Sequence, residues 1–136
     1  MIAPGVKSLG DFLIADSGTQ VGDWVEGLEG LLTLAAQLRL AYGSGGASIK
    51  AYLQTSLDQG VTAIDIACFT FATAGAVKAR NFSALTPKLA DVAPTDGALA
   101  DDASIDGVLG DRFRLKVVST GTYGGSTVLS GRMVVR

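Results

Sequence analysis

The sequence contains no histidine, a single cysteine, three prolines, one tryptophan and only two glutamates. Each scarcity removes a class of chemistry. Without histidine there is no general base near neutral pH, no Ser-His or Cys-His nucleophile pair and no imidazole for zinc. One cysteine, Cys68, cannot form a disulfide within the chain, and it lies in the apolar run IACFTF, where a free thiol behaves as a small buried hydrophobe. The two glutamates, Glu26 and Glu29, fall in a glycine-rich stretch that offers no paired-carboxylate site. These gaps predict a protein that is not an enzyme and that carries no catalytic residue, cofactor or metal.

Charge is scarce as well. Charged residues make up 18% of the chain, hydrophobic residues 48%, and the formal net charge is −2. The composition excludes a disordered chain, and the length suits one domain with its own core. No basic stripe runs along the sequence, so nucleic acid is not an expected partner. No apolar run is long enough to span a bilayer, and Met1 is not followed by a basic region and an apolar run, so neither a membrane nor a secretory leader is expected. Low charge also leaves much of the surface neutral or apolar, as in proteins that sit against a partner. Residues 1 to 77 carry three Lys/Arg against seven acids, and residues 78 to 136 carry eight against six. Such halves could present opposite potentials to neighbouring subunits, but scatter of charge over a small surface is the reading favoured.

What is present is alternation. Leu32, Leu34, Ala36, Leu38, Leu40 and Tyr42 repeat at period two, with Thr33, Gln37 and Arg39 between them. A helix would instead gather Leu31, Ala35, Leu38 and Tyr42, and the Leu/Ala content favours it. The glycines bounding the segment and the alternating segment that follows predict a strand over residues 31 to 42. Strands are also expected over Ile49–Gln54, Ile64–Phe71, Arg80–Leu85, Arg112–Val118 and Thr127–Arg136. Both faces of Ile64–Phe71 turn apolar toward its end, which predicts a central position between two layers. Residues 1 to 30, punctuated by six glycines, are expected to form an extended N-terminal arm or edge strands, and residues 31 to 136 the main domain. Together these predict an all-β, antiparallel β-sandwich, jelly-roll-like or Ig-like.

Three loops invite a functional reading. Gly43-Ser44-Gly45-Gly46 lacks the Lys-Ser/Thr and the helix that a phosphate loop requires, and is expected to be a hairpin turn between strands, as is Thr120–Ser126. Ser56-x-Asp58-x-Gly60-x-Thr62 resembles the Asp-box turn of sialidases and other β-rich proteins, with Ala63 in place of the usual aromatic. That resemblance implies a turn and no activity. Asp102-x-Ser104-x-Asp106-Gly107 matches the start of a calcium loop, but Phe113 stands where the closing Glu belongs, so a solvated loop with Asx-turns is expected over 94 to 111. Arg112, Arg114 and Lys116 form a basic row on the outer face of their strand.

The runs YGSGGASIKAYLQTSLDQGVTAIDIACFTF and TDGALADDASIDGVLGDRFRLKVVSTGTYGGSTVLSGRMVVR together resemble small virion structural proteins of tailed phages and prophages. The resemblance covers about residues 30 to 136 and implies a β-sandwich component of the particle, most like a capsid cement (decoration) protein assembled in the host cytoplasm. The implied partners are the major capsid protein and further copies of the chain, as a dimer or trimer. A neck or tail-associated virion protein and a carbohydrate-binding adhesin are the alternatives. Phe12, Trp24, Arg112, Arg114 and Lys116 are the residues expected to touch a partner.

Overall fold

Leu34, Ala36, Leu38 and Leu40 are buried while Thr33, Ala35, Gln37, Arg39 and Ala41 between them are exposed, so the period-two pattern is a strand and not a helix. Helix propensity of Leu and Ala is outweighed here because both edges of this segment find partner strands. A computed structural model of the chain describes residues 5 to 136, and no helix occurs among them. Ten strands follow in order: β1 (Gly5–Leu13), β2 (Gly18–Val21), β3 (Thr33–Ala41), β4 (Ser44–Gly45), β5 (Ser48–Thr55), β6 (Ile64–Phe71), β7 (Ala76–Ser83), β8 (Phe113–Thr120), β9 (Tyr123–Gly124) and β10 (Val128–Val135).

All pairings are antiparallel. One sheet has the order β1-β10-β3-β7, the second β2-β8-β5-β6, and β4 with β9 forms a small ribbon. Setting the ribbon aside and counting the eight long strands in chain order, the sheets read 1-8-3-6 and 2-7-4-5. That order is the double Greek key of a jelly roll. The inner faces meet in one core. Leu34, Leu38, Leu129, Met133 and Val135 of the first sheet face Ile49, Leu53, Phe69, Phe113 and Leu115 of the second.

Several expectations change in this topology. Residues 5 to 30 are edge strands and loops of the sandwich and not an extended arm: β1 borders the first sheet and β2 the second. Residues 1 to 4 lie outside the described residues. Leu32 precedes β3 and is exposed, although its period had placed it on the inner face. The strand expected over Arg80–Leu85 is β7, which starts four residues earlier at Ala76 and ends at Ser83.

The two glycine loops are not hairpin turns. β3 and β5 lie in different sheets, as do β8 and β10, so each loop carries the chain across the sandwich. The loops pair with one another as β4 and β9. Gly43 is required there, because a Cβ would stand 2.2 Å from the carbonyl oxygen of Gly124. Gly46, at φ +76, lies under the Tyr123 ring.

Strand β6 is an edge strand and not a central one. It is buried on both faces because the loop 94 to 111 closes its free edge. Asp65 and Cys68 donate backbone N–H bonds to the carbonyls of Thr95 and Ala103, and Ile105 donates to Ile66. An edge left open would be a template for unwanted pairing, and this loop covers it.

Candidate functional site: a pinned loop and two uncovered surfaces

The acidic loop 94 to 111 is fastened to the outer face of the second sheet. At its centre Asp65, fully buried, accepts from the backbone amides of Gly97, Ala98 and Leu99, from Thr95 Oγ1 and from Gln54 Nε2. A buried carboxylate survives only with such partners, and here they come from the loop itself. Asp96 binds Gln54 Nε2 at 2.7 Å and Lys116 Nζ at 3.2 Å; the Gln54 hydrogen bond, then Lys116, hold its carboxyl below the usual range. Asp101 pairs with Lys50 at 2.9 Å. Asp102 accepts from Thr70 Oγ1, which chiefly lowers its pKa, and lies near Lys78 and Arg80. Asp106 accepts from the backbone N–H of Ser83 and from Thr86 Oγ1.

This arrangement decides the sequence-derived candidates. Asp102, Ser104 and Asp106 do not converge on a cation: Ser104 Oγ accepts from Arg80, and the two carboxylates face different strands. Among the described residues no cluster of three His, Cys, Asp or Glu side chains could hold a metal. The loop is therefore a docked strap and not a solvated one.

The basic row is also engaged within the chain. Arg112 donates to Glu26 and Asp111, Arg114 donates to Gln54 and stacks 4.3 Å from the Trp24 ring, and Lys116 reaches Asp96. Trp24 is half-buried by that stacking, and Phe12, 8% exposed, belongs to the core. The five expected contact residues thus form a structural cluster around Arg112–Lys116, plus one core aromatic. The uneven charge of the two halves does not set up opposite potentials by halves, because loop acids neutralise Lys50, Lys78, Arg80 and Lys116. Lys78 and Arg80 lie over the Phe71 and Phe69 rings and close the side of the sandwich at β7.

The β5–β6 turn has the hydrogen bonds that its Asp-box-like spacing implies. Ser56 Oγ donates to Asp58 Oδ1 and accepts from the amides of Asp58 and Gly60, while Asp58 Oδ1 accepts from the Thr62 amide at 2.8 Å. Gln59 and Gly60 take positive φ at the tip. The turn is closed by its own hydrogen bonds, and Leu57 and Val61 (86% exposed) project from it into solvent. Leu85 and Leu89 (96% exposed) leave the loop after β7, and Leu32 leaves the loop before β3. The backbone pairing of Phe113 with Val25 and of Ala84 with Leu32 places these loops at the same end of the sandwich. Five large aliphatic side chains are thus exposed on loops at this end.

The second uncovered surface is the outer face of the first sheet. Strand register sets it out in rows: Val6, Val134, Ala35 and Asn81; Ser8, Arg132, Gln37 and Ala79; Asp11, Ser130, Arg39 and Val77. Arg132 pairs with Asp11 at 3.0 Å. Among the described residues no loop crosses this face, and neither it nor the leucine-bearing end was visible as a surface in the sequence, since both join residues from distant segments. Cys68 is buried, and desolvation pushes its thiol pKa up, as expected of an inert core cysteine.

Comparison with protein-family models, with curated proteins and with solved structures returned no match.

Proposed function

We propose that this chain is a structural protein of a phage virion, a capsid cement protein that bridges capsid subunits on the assembled head. The observation that carries the reading is the loop end with Leu32, Leu57, Val61, Leu85 and Leu89 exposed on a sandwich whose core is otherwise filled. A chain that lives alone in water gains nothing from holding Val61 out on a hydrogen-bonded turn. A chain that docks gains affinity, because a preorganised tip loses little entropy on binding. Titratable groups are engaged elsewhere: the loop aspartates and the β5, β7 and β8 cations neutralise one another in a fastening role. The jelly roll is compatible with the reading but does not single it out, since the architecture serves capsid domains, lectins and cupins alike. The capsid partner itself comes from the resemblance of residues 30 to 136.

On this reading the protein is made in the host cytoplasm and adds to the shell by its loop end, and added interface area between capsid subunits resists internal pressure. Quantitative mass spectrometry of purified particles tests it. Hundreds of copies, near the capsid protein's own number, are expected. A dozen or fewer would assign the chain to the neck or tail, and none would remove it from the particle.

A further inference from the structure

The two outer faces of the sandwich are unlike. The second sheet is covered by the chain's own loop 94 to 111, whereas no described segment covers the outer face of the first sheet. Its outward side chains include many short ones, Ala35, Ala41, Ala79, Ser8 and Ser130, beside Val6, Val134 and Val77, and the longer Gln37, Arg39 and Arg132 stand among them. Sheet faces pack on one another at about 10 Å. We infer that the outer face of the β1-β10-β3-β7 sheet is a self-association surface, on which a second copy of this chain packs to form a two-fold dimer.

Size supports a second copy as the occupant. Four strands spaced about 4.8 Å apart and eight residues long cover roughly 500 Å². Two such faces together bury about 1,000 Å², the lower bound for a specific interface. Symmetry also supports it. A two-fold axis in the plane of the face, parallel to the strands and between β10 and β3, lays β3 of one copy over β10 of the other. Row by row, Ala35 then meets the second copy's Val134, and Ala41 meets its Val128. Arg39, which makes no ion pair within its own chain among the described residues, comes beside Ser130 and Asp11 of the second copy. Face-to-face packing closes at two copies, so a trimer does not form this way.

The proposal goes beyond the virion reading and is tested without particles. Sedimentation velocity of the full chain is expected to show about 28 kDa, twice its 13.9 kDa. The variant Ala35→Glu/Ala79→Glu is expected to sediment as a monomer while keeping the wild-type circular dichroism. Val61→Glu/Leu89→Glu, at the loop end, is expected to remain dimeric. A wild-type monomer or trimer at 100 µM, or a dimer that survives the Ala35/Ala79 substitutions, overturns the inference. Small-angle scattering of the wild type provides a check that needs no variant: four stacked layers are expected, and an end-to-end rod overturns it. Because capsid binding is not measured, absence from particles would sink the virion reading and leave this result standing.

Discussion

At the scale of single residues, the most consequential side chain is one that composition would have placed on the surface. Asp65 is wholly buried and gathers three consecutive loop amides, a hydroxyl and the Gln54 amide. Asp65→Ala leaves those donors without an acceptor, and buried donors left unmet cost about 1–3 kcal/mol each when water cannot replace the partner. A loss of about 3 kcal/mol in urea unfolding is expected, together with protease cleavage within 94 to 111 under native conditions. A variant as stable and as resistant as the wild type would sink the fastening role. Leu38, with no exposed surface, is the ordinary counterpart: Leu38→Ala should cost about 2–5 kcal/mol, most of it as an unfilled cavity. Leu38 was legible from alternation alone. Asp65 was not, because its loop partners lie 30 to 34 residues away and only the folded loop brings them to it.

At the scale of elements, the β5–β6 turn and the 94 to 111 loop show why some motifs can be read locally and others cannot. The Ser56–Thr62 turn closes on itself, so residue types and spacing suffice to anticipate it. Ser56→Ala removes the acceptor of the Gly60 amide and should destabilise by about 1 kcal/mol in thermal or urea unfolding. The 94 to 111 loop closes on other strands. Its calcium-like fragment is spent on Thr70, Arg80, Ser83 and Thr86, so EDTA should leave the melting temperature unchanged, and a drop of several degrees would contradict that assignment. The loop is also where acid should act. Hydrogen bonds from Gln54, Thr70 and the Ser83 amide, respectively the largest influence on each, lower the carboxyl pKa of Asp96, Asp102 and Asp106 in the fold. Carboxylates with depressed folded pKa values stabilise above their unfolded value near 3.9, and that contribution disappears as pH falls through the folded values. Stability is therefore expected to be flat from pH 8 to 5, where no histidine titrates, and to fall below about pH 4. A melting transition that moves between pH 5 and 8 would contradict this. The glycine loops at 43 to 46 and 120 to 126 look like hairpin turns locally, and only the assignment of their flanking strands to different sheets shows them to be crossovers.

At the scale of the whole molecule, the last strand in sequence is central in space: β10 lies between β1 and β3. Ending the chain at Thr127 would strip both neighbours of their hydrogen-bond partner and open the core at Leu129, Met133 and Val135. No cooperative unfolding transition is expected from that truncation, and a folded, cooperative product would refute the topology. The same long-range wiring leaves the molecule with two unlike surfaces, an end with exposed leucines, proposed above to meet a shell, and an uncovered sheet face, proposed to meet a second copy. What the sequence alone determined was period and chemistry: an all-β chain, its inward residues, one self-closing turn, and no histidine-based or disulfide chemistry. Those follow from neighbours a few residues apart and from composition. Only the tertiary structure decided the jelly-roll order, the edge position of β6, the fastening of the acidic loop and the engagement of Arg112, Arg114 and Lys116. Each depends on hydrogen bonds and ion pairs between segments far apart in sequence, and alternation says which side of a strand faces inward but not which strand lies beside it.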